Sequence, residues 1–110
     1  MKIIITESQL SGIYWKYLKF LLGDLTEVHS DVYPDSRFWK NDKHGVVLEL
    51  TKSGDLWVHY EIWVNFSDFF SLEYEETQQV IKNLLEEHLK LGGITPIRLY
   101  GQRNTHWKYI

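Results

Sequence analysis

An α+β fold, with one antiparallel sheet of three to five strands packed on two amphipathic helices, follows from three observations. Apolar residues recur at helical spacing in two separate stretches, residues 7–22 and 73–91. Between them, GVVLELTKSGDLWVHYEI (Gly45 to Ile62) alternates with period two around a turn, the pattern of a β-hairpin. The order helix, strands, helix, strands then suits a single sheet carrying both helices on its apolar face. The 110 residues form one domain, 1–110, with no internal repeat or linker.

The hairpin specifies its own register. A three-residue loop, Lys52-Ser53-Gly54, closed by Thr51 and Asp55 with Gly54 at positive φ, sets Leu50 opposite Leu56, Leu48 opposite Val58 and Val46 opposite Tyr60. All these apolar partners then share one face. A four-residue loop mixes the faces, and such a slip is costly when one face is buried. The other face carries Glu49 beside Trp57 and Val47 beside His59, with Glu61 and Trp63 further on.

The remaining elements follow in order. Lys2 to Ile5 reads as an edge strand or a lead-in. Thr6-Glu7-Ser8-Gln9 is a capping box that opens helix one, which runs to Leu22 and stops at Gly23. Its stripe is Leu10, Ile13, Tyr14, Tyr17, Leu18 and Leu21, flanked by Trp15, Lys16 and Lys19. Leu25 to His29 reads as a short strand, Ser30 to Ser36 as a loop, and Arg37 to Lys40 as a strand feeding the hairpin. Phe66, Phe69 and Phe70 have the spacing of a short helix or turn. Helix two opens at Ser71 or Glu73 and runs to Leu91, where Gly92-Gly93 and Pro96 end it. Ile97 to Tyr100 and His106 to Ile110 read as a C-terminal hairpin.

Composition narrows the function. There is no cysteine, which removes disulfides, thiol chemistry and cysteine-based zinc sites. The five histidines are scattered, without metal-ligand spacing, so neither a metal nor a cofactor is expected. A net charge of −3 argues against general phosphate-backbone binding. The Ile3-Ile4-Ile5 run is too short for a signal peptide or a membrane span, which predicts a cytoplasmic protein without membrane association. Five Trp, seven Tyr and five Phe in so small a chain favour an aromatic contact surface.

Three segments carry a resemblance: the opening KIIITESQL, the hairpin LTKSGDLWVHYEIW, and FFSLEYEETQQVIKNLLEEHLKLGGITP. On these the chain resembles a group of small, uncharacterised tailed-bacteriophage proteins. The resemblance implies an origin in the cytoplasm of an infected bacterium and an accessory role. It implies no residue-level chemistry.

Three functional readings follow. The first is a non-enzymatic interaction protein that binds a host or phage protein, or a second copy of itself, through Glu49, Trp57, His59, Glu61 and Trp63. The acidic face of helix two (Glu73, Glu75, Glu76, Glu86, Glu87) would extend that surface. The second is weak binding of single-stranded nucleic acid by the C-terminal hairpin, where Arg98, Tyr100, Arg103, Trp107 and Lys108 interleave bases and aromatics. The third is a small hydrolase or isomerase using His59 with Glu49 or Glu61 as an acid–base pair. No nucleophile or oxyanion donor is placed beside that pair, so no catalytic residue is assigned.

Overall fold

Helical periodicity at the start of the chain produces α1, from Glu7 to Leu22, in a computed structural model that describes residues 7–91, 97–99, 107 and 110. The helix stops at Gly23, where φ is +67° and the amide donates to the Lys19 carbonyl at 2.9 Å. The buried Asn41 side chain then donates to the Leu22 carbonyl at 2.7 Å. Its oxygen accepts the His44 amide at 2.7 Å. Asn41 thereby satisfies a carbonyl left over at the helix end and ties that end to the following β-turn. The expected capping box depends on Thr6, and the expected first strand on Lys2 to Ile5; these residues lie outside those described.

Four strands follow as an antiparallel meander: β1 (Thr26–Val28), β2 (Arg37–Asn41), β3 (Gly45–Leu50) and β4 (Leu56–Val58). After two helices, β5 (Ile97–Leu99) adds alongside β4 in parallel, giving the sheet order β1-β2-β3-β4-β5. A parallel neighbour needs a crossover connection, and α2 and α3 supply it.

The β3–β4 hairpin has the register that its apolar pairs require. Leu48 faces Val58, Glu49 faces Trp57 and Leu50 faces Leu56. Thr51 donates to the Asp55 carbonyl at 2.9 Å, and Gly54 has φ +95°. At the other end the alternation breaks. Trp39 pairs with Leu48 but Lys40 pairs with Val46, so β3 carries one extra residue, Val47. A bulge of this kind moves everything beyond it to the opposite face. Val46, expected beside Leu48, instead joins Phe38 and Trp107 on the far side of the sheet.

The second expected strand of the hairpin also ends early. β4 stops at Val58, and Tyr60 to Phe70 form α2. Tyr60, Glu61, Ile62 and Trp63 therefore lie on a helix, and the helices number three rather than two among the described residues. The physical reason is local. His59 caps the helix, its side chain accepting the Glu61 amide at 3.1 Å. Ile62 and Phe66, four residues apart, then bury the same helical stripe. α2 ends at Ser71, which adopts φ +53°. α3 (Tyr74–His88) opens on a capping box between Glu73 and Glu76. It closes short of the expected Leu91, because Lys90 takes φ +54° and turns the chain first. The buried hydroxyl of Thr77 is satisfied by the Glu73 carbonyl at 2.8 Å.

Two apolar clusters result. The larger joins Leu18 and Leu22 of α1, Ile62 and Phe66 of α2, and Ile81, Leu84 and Leu85 of α3 to Trp39, Leu48, Leu56 and Val58 of the sheet. The smaller lies on the other face around Phe38, Val46 and Trp107, with Val28, Tyr33, Trp57 and Ile110 against it. Of the expected C-terminal hairpin, β5 forms, Trp107 sits in a helical turn closed by the Ile110 amide on its carbonyl at 3.1 Å, and residues 100–106, 108 and 109 lie outside those described.

The outer strand β1 is held by side chains as well as by its ladder. Arg37 grips the Glu27 carboxylate with two hydrogen bonds, of 2.9 and 3.0 Å. That grip holds the Glu27 carboxyl below its ordinary range and the Arg37 guanidinium above its own. A carboxyl lowered in the folded state stabilises above the unfolded carboxylate range, about pH 4.3, and loses that contribution as pH falls through the folded value. Both side chains are about half exposed, so solvent screening keeps the effect small. Glu27→Gln should remove this segment of acid sensitivity, measured as the difference between urea melts at pH 6 and pH 3.

Candidate interaction surface

The sheet face that the alternation left open is closed by the chain itself. Glu49 lies on β3, pointing away from the helices, and is only 4% exposed. Its Oε1 accepts the Trp107 indole N–H at 2.8 Å. Trp107, 6% exposed, covers this face together with Ile110. Trp57, opposite Glu49, is half-buried in the same cluster. A carboxyl acceptor meeting a donor in a dry site is satisfied at the cost of access.

His59 follows the same logic. It is 2% exposed, and its Nδ1 is occupied as the cap of α2. In the neutral ring the proton therefore sits on Nε2. The His44 ring stacks on that of His59 at 4.8 Å between centroids, and the Trp107 ring lies 6.3 Å away. Glu61, two residues on, sits in the first turn of α2 and turns to His44, with Oε2 3.4 Å from Nδ1. Glu61 meets His59 through its backbone amide. The Glu61 carboxylate thus lies against His44, and the His59 ring is buried. Trp63 leaves the sheet altogether. It packs from α2 against the main core and meets Tyr60 and Tyr74 edge-on. The five residues expected to form one open surface are therefore divided among a buried face, a helix cap and a helix flank.

The C-terminal nucleic-acid surface is affected in the same way. Trp107, expected to stack on bases, is spent on Glu49. The backbone of Arg98 pairs with Trp57 in β5, and Tyr100, Arg103 and Lys108 lie outside the described residues. Among the described residues no three His, Cys, Asp or Glu side chains come together as metal ligands. His88, expected at the core rim, is exposed and lies flat on Trp15, 4.1 Å away with 3° between the planes.

The open aromatic surface is on the helices instead. α1 buries Leu18 and Leu22 and turns Ile13 and Phe20 outward; Phe20 is 77% exposed. On α2, Phe66 is buried while Phe69 is 61% exposed. Tyr17 bridges the two helices, stacked on Phe69 at 4.1 Å and edge-on to Phe70 at 5.6 Å. Ile13, Lys16, Tyr17, Phe20 and Phe69 line a groove of about 450 Å³. Its floor continues through Tyr17 and Phe66 into the main core, so the rings are held by packing. Phe20 lies off the expected α1 stripe, but so does buried Leu22, while Ile13 on the stripe is exposed; the stripe alone does not pick out the surface residues.

Two measurements check the closed face. Trp107→Phe keeps an apolar ring but removes the donor to buried Glu49, and should cost about 1–3 kcal/mol in urea unfolding. Adding Glu49→Met should recover most of that loss, since replacing both partners by apolar groups is nearly neutral. His59→Asn keeps a capping side chain, whereas His59→Ala should lose about 1 kcal/mol more through the cap.

No helix among the described residues is long and apolar enough to cross a membrane, and no family model, curated protein or solved structure matches the chain.

Proposed function

We propose that this chain is a phage-encoded, non-enzymatic interaction protein that acts in the host bacterial cytoplasm and binds a protein through the groove between α1 and α2. One observation carries the reading: two phenylalanines on adjacent helices, Phe20 and Phe69, stand mostly in water beside a stacked tyrosine. Contiguous exposed apolar surface of this kind marks interaction sites on small domains. Tyr17, packed on the core and stacked on Phe69, loses little side-chain freedom on binding, which suits it to be a hot spot.

The proposal moves the contact from the sheet to the helices and keeps the class of function. The sheet face lacks access because Glu49 and His59 are sealed. The acid–base reading of His59 with Glu49 or Glu61 ranks below this proposal, because the Glu61 carboxylate lies against His44 and the His59 ring is buried.

A photo-crosslinking residue placed at position 20 tests the surface in infected cells, with a second at position 57 as the reference. Position 20 should give a discrete protein adduct, and Phe20→Ser with Phe69→Ser should abolish binding while unfolding stays within about 0.5 kcal/mol, as for surface changes. Adducts from position 57 alone, or a double substitution that unfolds the chain, would refute the helical surface.

A further inference from the structure

The groove has a chemistry beyond being apolar. Lys16 lines it, and Lys19 stands exposed three residues on, in the last turn of α1. Neither lysine pairs with a carboxylate among the described residues. From Gln9 to Leu22, α1 carries no acidic residue, although the chain as a whole has net charge −3. The α1 edge of the groove is therefore basic, with Asp68 beside Phe69 the acidic residue of the α2 edge, and a basic edge is complementary to a negative partner.

The spacing of the anchors adds a shape. Ile13 and Phe20 are seven residues apart on one helix. At 1.5 Å per residue they span about 10 Å, two helical turns. A partner helix that lies along the groove presents its own i, i+3/i+4 and i+7 side chains over the same distance. Tyr17 and Phe69 stand between those positions as a stacked pair, forming one wall.

We infer that the occupant is an acidic amphipathic helix of another protein, with aliphatic or aromatic anchors two turns apart in the groove and carboxylates opposite Lys16 and Lys19. The inference rests on the reading of this groove as the protein-binding surface, and names what fits it. The anchors supply affinity by burying apolar area against Phe20 and Phe69. The lysines supply orientation and on-rate, since charges at a rim act mostly on encounter and on salt dependence.

The test uses the full chain and two synthetic helical peptides. Both carry leucines at i, i+4 and i+7; one is flanked by glutamates and the other by lysines. Fluorescence anisotropy should show the glutamate peptide binding about tenfold tighter or more, with the preference lost at high salt. Lys16→Glu with Lys19→Glu should reverse the preference, and Phe20→Ser with Phe69→Ser should weaken both peptides. Equal binding of the two peptides that still depends on Phe20 overturns the acidic partner and leaves the groove as the contact surface. Failure of both peptides, while position 20 crosslinks to a protein in cells, likewise overturns the partner class alone. Failure of both, with no adduct at position 20, overturns the surface too. Light scattering that shows a dimer broken by Phe20→Ser would make the occupant a second copy, and binding to anionic vesicles in place of the glutamate peptide would make it a membrane; either result overturns the inference.

Discussion

Between Trp39 and Lys40, β3 runs one residue ahead of its partner strand, and that residue, Val47, decides what each face of the sheet contains. On the hairpin side of the bulge, Leu48, Leu50, Leu56 and Val58 point at the helices. Beyond it, Val46 points the other way and joins Phe38. Without the extra residue the second face would hold Val47, and Val46 would crowd the helical layer. The bulge thus creates a second apolar patch, and an apolar patch on a sheet needs a cover. Trp107 provides it, anchored by the Glu49 carboxylate.

With the sheet closed on both faces, the remaining aromatic surface is on the helices. α1 has more large apolar residues than one buried stripe can take. The packing selects Leu18 and Leu22, with Tyr14 and Trp15 half-buried, and leaves Ile13 and Phe20 outside. α2 repeats this on a smaller scale with Phe66 inside and Phe69 outside. The two surpluses meet at Tyr17, which is why the exposed rings form a connected groove rather than scattered residues. Lys16 at its edge gives the groove a sign as well as a shape.

How much of this was legible in the sequence depends on the range of the interaction concerned. The span of α1, the hairpin register and the Gly54 turn are local, and periodicity with turn chemistry reads them directly. The switch from strand to helix at His59 was harder. Leu56 to Ile62 alternates well enough to pass for a strand, and only the cap geometry and the Ile62–Phe66 spacing favour the helix. The bulge at Val47 leaves no mark in composition, because it is set by pairing with β2. The cover over Glu49 was not legible at all: nothing near Trp107 in sequence identifies a partner on β3. The candidate surface was not legible: Phe20 is off the stripe in the same way as buried Leu22, and the exposure of Phe69 depends on how α2 packs on α1.

The contact between Trp107 and Glu49 joins residues 58 positions apart, whereas the β1–β4 meander pairs neighbours in sequence. Closing a long loop costs entropy before any contact rewards it. The meander can therefore assemble first, and the parallel β5 with its Trp107 cover can dock onto a sheet already formed. In the interval, Phe38, Val46 and Trp57 stand in water as a transient sticky face. The rate of that last docking step sets how long a nascent molecule is open to misassembly with its neighbours.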